Sequence, residues 1–269
     1  MIDIEKLSAS VPRCEEEYLG QDGLLHCKKC GEPTQYRVKI EGLGIDRIVR
    51  CICSCKVKER DAEEEQILQE KRERNRRECF NGSKQMKSTF DYYEDNEYMN
   101  IGRNYVKNFK QFKASGKGLL LHGTVGTGKS EVAACIANAL IDEGYLVLMT
   151  NFATMVNRLQ ETFDGKQQYI ESLKRYALLI IDDLGVERES DFMQEQVYNI
   201  IDSRYLSGLP FIITTNLLPE ELKKTSDVKK MRIYDRILER CHPVEVNGQS
   251  YRRQKLVEDF KQMEMLLKG

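Results

Sequence analysis

The chain has 269 residues, enough for one large or two modest domains whose cores need no disulfides, and two domains are expected. Its 42 basic and 43 acidic side chains nearly cancel to a formal net charge of -1, so any nucleic-acid contact must come from a local basic patch, not from global charge. No apolar run is long enough to cross a bilayer, and the start, Met-Ile-Asp-Ile-Glu-Lys, lacks the basic-then-apolar layout of a secretory signal; a cytoplasmic protein with no membrane partner is expected.

Residues 1–25 mix charged and apolar residues around Pro12 and Cys14 without a clean period, a pattern open to a short helix or a loosely held arm, and their role is left open. Nine cysteines is an odd count, and five of them lie between Cys27 and Cys55. In a reducing compartment that clustering favours metal ligation over disulfides. After Cys27-Lys-Lys-Cys30-Gly come an alternating stretch from Gln35, a turn at Gly42-Leu-Gly44, and Ile45 to Arg50 running into Cys51-Ile-Cys53-Ser-Cys55. Two short strands joined by a turn fit this pattern. They bring both cysteine groups to one end of a hairpin, where four thiolates can surround a tetrahedral zinc. A zinc-ribbon-like partner domain over residues 1–57 is expected, with the metal supplying much of its folding free energy. Cys27 and Cys30 are two ligands; of the other three, Cys51 and Cys53 are favoured and Cys55 is the substitute.

Residues 58–89 are dense in charge and contain Glu70/Arg74 and Glu73/Arg77 at helical spacing, with too few aliphatic residues for a coiled-coil seam. They predict a solvated, charged helical linker, ended by a loop at Asn81-Gly82. The second domain, residues 90–269, opens with the aromatic Phe90-Asp-Tyr-Tyr and a helix near 100–113.

The apolar strand Leu119–His122 then leads into Gly123-Thr-Val-Gly-Thr-Gly-Lys-Ser130, and a helix from Glu131 follows. This G-x-x-x-x-G-K-S pattern between strand and helix is a phosphate-binding P-loop. Its glycines let the backbone aim N–H groups inward, and the helix dipole adds to the same spot. Residues Gly123, Thr124, Val125, Gly126, Thr127, Gly128, Lys129, Ser130 and Glu131 are the candidate nucleotide contacts. Lys129 can reach the β- and γ-phosphates, and the Ser130 hydroxyl is expected on Mg2+.

Strand and helix then alternate: Tyr145–Thr150 is a buried strand, and helical spacing runs over 152–163 and 167–176. The next strand, Ala177-Leu-Leu-Ile-Ile-Asp182-Asp183, is an apolar run closed by two carboxylates. Asp182 is expected to hold Mg2+ through its water shell, and Asp183 to orient or deprotonate the water attacking the γ-phosphate. After a helix over 193–205, Pro210-Phe-Ile-Ile-Thr-Thr215-Asn216 is another apolar strand with a polar end. If it lies between the P-loop strand and the Asp182 strand, Asn216 reaches the γ-phosphate and the attacking water.

In ordered combination these motifs resemble the AAA+ ATPases, and more narrowly the DnaC/DnaI helicase loaders together with the IstB transposition ATPases. The resemblance covers residues 90–268. It rests on the P-loop, on Leu179-Ile-Ile-Asp-Asp-Leu-Gly185 with Glu187, on Ser203-Arg-Tyr, on Thr214-Thr-Asn216, on Asp235-Arg236 and on Ser250-Tyr-Arg252. It implies an α/β fold, an AAA+ (ASCE P-loop) parallel sheet with flanking helices and a reduced C-terminal lid. It makes Asn216 a sensor 1 residue, Arg236 the arginine finger of a neighbouring subunit's ATP site, and Arg252 a sensor 2 contact. The implied cofactors are ATP, Mg2+ and, for the first domain, Zn2+.

An arginine that acts in a neighbour implies head-to-tail self-association through the ATP site. The expected activity is that of a Mg-dependent ATPase, ATP to ADP and phosphate. The expected function is loading of a replicative DNA helicase onto single-stranded DNA, because the zinc-binding first half is similar to that of the loaders. Its cysteine spacing departs from their best-known members. Arg158, Lys166 and Lys174, between the second strand and Asp182, are the candidate DNA contacts. The alternative is an IstB-like ATPase that delivers DNA to a transposase.

Overall fold

The computed structural model describes residues 11–268 except 12, 15, 94–95, 162–164, 186–190, 248–259 and 261–262. It divides into two compact units, residues 1–71 and 72–269.

In the first unit, β1 (Glu17–Leu19) pairs antiparallel with β2 (Leu25–Cys27), and β3 (Gln35–Ile40) pairs antiparallel with β4 (Ile45–Arg50). The second pair is the predicted hairpin. Its register sets Tyr36 opposite Val49 and Ile40 opposite Ile45, so these residues share one face with Val38 and Arg47. The bidentate pair between Arg50 and Glu17, at 3.0 and 3.1 Å, ties β4 to β1. That guanidinium holds the Glu17 carboxyl below its usual range, aided by Thr34.

Helix α1 (Ser54–Phe80) begins in the first unit, and its last turns belong to the second. Those turns are not the solvated linker expected for 58–89. Asn75, Cys79 and Phe80 are buried, Asn75 donates to the Tyr145 carbonyl at 2.6 Å, and Arg76 bridges Asn138 and Asp142. The core of the second unit therefore begins near residue 72.

After α2 (Glu97–Lys107) and α3 (Phe109–Ser115), β5 (Gly118–His122) leads to α4 (Lys129–Asp142) and β6 (Val147–Asn151). Helices α5 (Phe152–Glu161) and α6 (Lys166–Ser172) precede β7 (Leu178–Leu184). The chain continues through α7 (Asp191–Leu206), β8 (Phe211–Thr215), α8 (Pro219–Lys223), α9 (Val228–Arg240) and β9 (Cys241–Glu245). The sheet is parallel throughout, in the order β6-β7-β8-β5-β9.

The near-continuous apolar strands follow from burial on both faces. In β5, Leu119 and Leu121 point to a cluster with α2, α3 and α4, whereas Leu120 points to the opposite cluster with α5, α6, α7 and α9. At Gly118 a Cβ would stand 1.6 Å from the Phe211 carbonyl oxygen, so only glycine lets β5 and β8 approach there. β8 thus lies between the P-loop strand and the Asp182 strand, the placement on which the expectation for Asn216 depends. Among the described residues, no helix is long and apolar enough to cross a membrane.

Candidate functional site

Between β5 and α4 the chain turns through the P-loop, where Gly123, Gly126 and Gly128 have φ of 145°, 88° and 102°. L side chains rarely adopt these values, and such turns allow backbone N–H groups to face an anion at a helix N-terminus. The Thr127 hydroxyl donates to the Thr124 carbonyl at 3.0 Å and closes the loop, and Val125 is exposed at its tip.

Lys129 is buried, and its Nζ donates to the carbonyls of Gly123 (3.0 Å) and Thr124 (2.8 Å) and to Asn216 Oδ1 (2.8 Å). At the next residue, the Ser130 hydroxyl donates to Asp182 Oδ1 at 2.7 Å. Lys129, Ser130, Asp182 and Asn216 therefore meet where β5, β7 and β8 end.

The fold explains the two adjacent carboxylates by a break in the ladder. β7 and β8 lose register between Ile181 and Leu184, and Asp183 takes a left-handed φ of 59°. For a residue other than glycine that conformation costs about 1–2 kcal/mol. It leaves Asp183 exposed beside the half-buried Asp182. Burial pushes the Asp182 carboxyl above its usual range, against the hydrogen bonds of Thr214 and Ser130, and the Asp183 charge adds to the shift. A carboxylate bonded to a serine hydroxyl, with a second carboxylate next in the chain and a lysine charge acting on the site, suits a divalent cation bound to phosphate oxygens.

Thr214 was expected only as part of a motif, yet its hydroxyl donates to Asp182 Oδ1 at 2.5 Å and accepts from the Asp183 N–H at 2.9 Å. The signal was a hydroxyl in an otherwise apolar buried strand, since buried polar groups need partners.

Glu131 faces away from the loop. Its carboxylate accepts from Ser88 (2.7 Å) and from the Tyr93 hydroxyl (2.9 Å), strapping the aromatic lead-in to α4. Arg236 does not approach the P-loop of its own chain. It pairs with Asp202 at 2.7 Å, donates to the Tyr198 hydroxyl at 3.0 Å and lies over the rings of Tyr198 and Tyr205. Sequence gave no pointer to Asp202 or Tyr198, which reach Arg236 from α7. Arg158 and Lys166 are exposed, and Lys174 pairs with Glu171. Arg252, with the rest of Ser250-Tyr-Arg252, and Glu187 lie outside the described residues.

In the first unit the sulfurs of Cys27, Cys30, Cys53 and Cys55 all lie within 4.8 Å of one another. Cys55 stands 3.2 Å from Cys53 and 3.5 Å from Cys27. Around a tetrahedral zinc with bonds of about 2.3 Å, sulfurs stand roughly 3.8 Å apart, so these four fit such an ion. The N–H groups of Cys30 and then Lys29 pull the Cys27 thiol down to about 6, towards the thiolate a metal requires.

The favoured Cys51 is corrected by this arrangement. The Cys51 N–H extends the hairpin ladder to the Thr34 carbonyl, and its thiol donates to Pro33 at 3.3 Å. The chain becomes helical at Ser54, and Cys55, in the first turn of that helix, joins Cys27, Cys30 and Cys53. Cys14, to which no role was assigned, stands 3.2 Å from Cys53.

A five-stranded parallel sheet with a P-loop, a carboxylate pair and a polar strand end between them defines a P-loop ATP-binding domain of the AAA+ kind. The profile of the IstB-like ATP binding proteins matches residues 54–258, and the chain belongs to that family. It is 26% identical over 160 residues to the replicative helicase loader DnaI of Bacillus subtilis, which covers 55% of this chain and 51% of DnaI. It is 27% identical over 145 residues to an ATP-binding protein in an insertion sequence of Mycobacterium tuberculosis, covering 52% of this chain and 58% of that one. The chain thus spans little more than half the length of these relatives. The crystal structure of the DnaC helicase loader superposes with a TM-score of 0.51 at 23% identity, covering 62% of this chain and all of that one, and shares the fold.

Proposed function

We propose that this chain is an ATP-dependent replication protein that loads a replicative DNA helicase onto single-stranded DNA and hydrolyses ATP at a head-to-tail subunit interface. The observation that carries the ATP site is the convergence of Lys129, Ser130, Asp182 and Asn216, with Lys129 Nζ at 2.8 Å from Asn216 and Ser130 Oγ at 2.7 Å from Asp182. Lys129 exchanges its carbonyl partners for the β- and γ-phosphates, while the loop from Gly123 to Ser130 cradles them. Ser130 and Asp182 would hold Mg2+, which would neutralise charge on the phosphate oxygens. Asp183 orients or deprotonates the attacking water, and Asn216 positions that water against the γ-phosphate. Arg236 completes the site of a neighbouring subunit, and Arg252 is assigned to sensor 2.

Two features support the helicase as client: the similarity to DnaI, and a thiol cluster ahead of the ATPase. Zinc at Cys27, Cys30, Cys53 and Cys55 would hold the first unit as a partner-binding domain. The hairpin face that carries Tyr36, Val38, Ile40, Ile45 and Val49 is its candidate helicase contact, with Tyr36 and Ile40 exposed. Phosphate contacts from Arg158, Lys166 and Lys174 would make DNA binding weaken steeply with salt. The insertion-sequence relative favours a second reading, an IstB-like ATPase that delivers DNA to a transposase.

The test incubates the purified chain with the replicative helicase of its host and closed single-stranded circles. ATP-dependent transfer of the helicase to the circles, lost in Lys129→Ala, is expected. Helicase that stays off the circles, while an active ATPase stimulates transposase strand transfer, establishes the second reading.

A further inference from the structure

The polar end of β8 holds a second group besides Asn216. Thr214 is fully buried, and its hydroxyl is engaged by two partners on the facing strand: it donates to Asp182 Oδ1 at 2.5 Å and accepts from the Asp183 N–H at 2.9 Å. Both partners sit where β7 breaks register with β8 and where Asp183 takes its left-handed backbone. One hydroxyl therefore fixes a carboxylate orientation and replaces the ladder hydrogen bond that the bulge removes. Asp182 Oδ1 also accepts from Ser130, so the two hydroxyls together fix the plane of the carboxyl group.

We propose that Thr214 is a positioning residue for ATP hydrolysis: it aims Asp182 at the cation site shared with Ser130, and it holds the Asp183 backbone so that its carboxylate faces the attacking water. This rests on the roles given to Asp182 and Asp183 above. Thr214 itself touches neither phosphate nor water. Asn216, two residues on and bound to Lys129, makes the direct contact. The division of work follows from the strand. Thr214 meets Asp182 and Asp183 of β7, Thr215 is bonded to the Leu184 carbonyl at 2.8 Å, and Asn216 lies past the end of the ladder.

The test compares Thr214→Val, which keeps the volume but removes both hydrogen bonds, with Thr214→Ser, which keeps the hydroxyl. Binding of a fluorescent ATP analogue is measured in EDTA and across a Mg2+ titration, and turnover is measured beside it. In Thr214→Val, metal-free binding stays within about twofold of the unaltered chain. Its Mg2+ affinity and kcat each fall by about 10- to 100-fold, with little change in KM, the loss usual when a group orienting a metal ligand is removed. Thr214→Ser restores most of both. Unchanged Mg2+ dependence and kcat in the valine variant, or no recovery in the serine variant, would overturn the proposal.

Asp182→Asn is the control for the reading beneath it. If that change also leaves the Mg2+ dependence intact, the metal assignment of Asp182 fails, and the two failures are thereby distinguished. Should the valine variant not fold, amide exchange in the unaltered chain decides. The Asp183 N–H must exchange slowly because Thr214 holds it, and exchange at the rate of an open loop refutes the hydrogen bond.

Discussion

At the scale of single residues, both sites depend on where a regular element stops. Helix α1 starts at Ser54, and that start selects Cys55 as the fourth thiol. Cys55→Ser is therefore expected to reduce bound zinc from about one per chain to a small fraction, whereas Cys51→Ser leaves it near one, by elemental analysis of freshly purified protein. Equal loss in both variants would refute the ligand set. The P-loop residues were legible in the sequence because a motif of eight positions states its own backbone conformation. The choice among Cys51, Cys53 and Cys55 was not, because it turns on a strand-to-helix change of period that no residue between Arg50 and Cys55 announces. Thr214 escaped for a related reason: its partners belong to another strand, and a register break decides which atoms face it.

At the scale of elements, Arg204 of α7 joins parts of the sheet that the chain separates. It is 2% exposed and donates to the carbonyls of Pro210 (2.7 Å), Tyr176 (3.0 Å), Leu173 (3.2 Å) and Ala177 (3.3 Å). It thereby binds the entries of β7 and β8 to one guanidinium. Burial pulls its pKa down to about 10, which still leaves it charged at neutral pH. Arg204→Met is expected to cost on the order of 3 kcal/mol in urea unfolding, because several buried carbonyls lose a charged donor. Arg204→Lys recovers only part of this, since a single ammonium cannot reach every carbonyl of the fork. A loss below about 0.5 kcal/mol in Arg204→Met, the scale of an ordinary surface change, would contradict this role.

The order of the elements was legible from apolar runs alternating with helical spacing. The docking of α1's last turns was not. Sequence shows charge there, but Asn75 and Arg76 pack through hydrogen bonds, and Cys79 and Phe80 are too few to make an apolar stripe.

At the scale of the whole molecule, Arg236 decides whether one subunit suffices. Among the described residues its partners are Asp202, Tyr198, Tyr205 and the Arg232 carbonyl, all on α7 and α9 and none in the P-loop. To serve a neighbour it must exchange Asp202 for phosphate. Arg236→Ala should spare ATP binding and abolish turnover. Mixing it with Asp183→Asn subunits should restore part of the activity, because the first supplies an intact site and the second an intact arginine. No recovery in mixed assemblies would argue against a shared site, and normal turnover in Arg236→Ala alone would remove the finger assignment.

Affinity capture of this chain from native host extract with ATP present distinguishes a helicase client from a transposase. Mass spectrometry of the bound fraction is expected to recover the hexameric replicative helicase, and Lys129→Ala or omission of ATP to alter its retention. Recovery of a transposase in its place would contradict the loader reading and assign the same ATP site to DNA delivery in transposition.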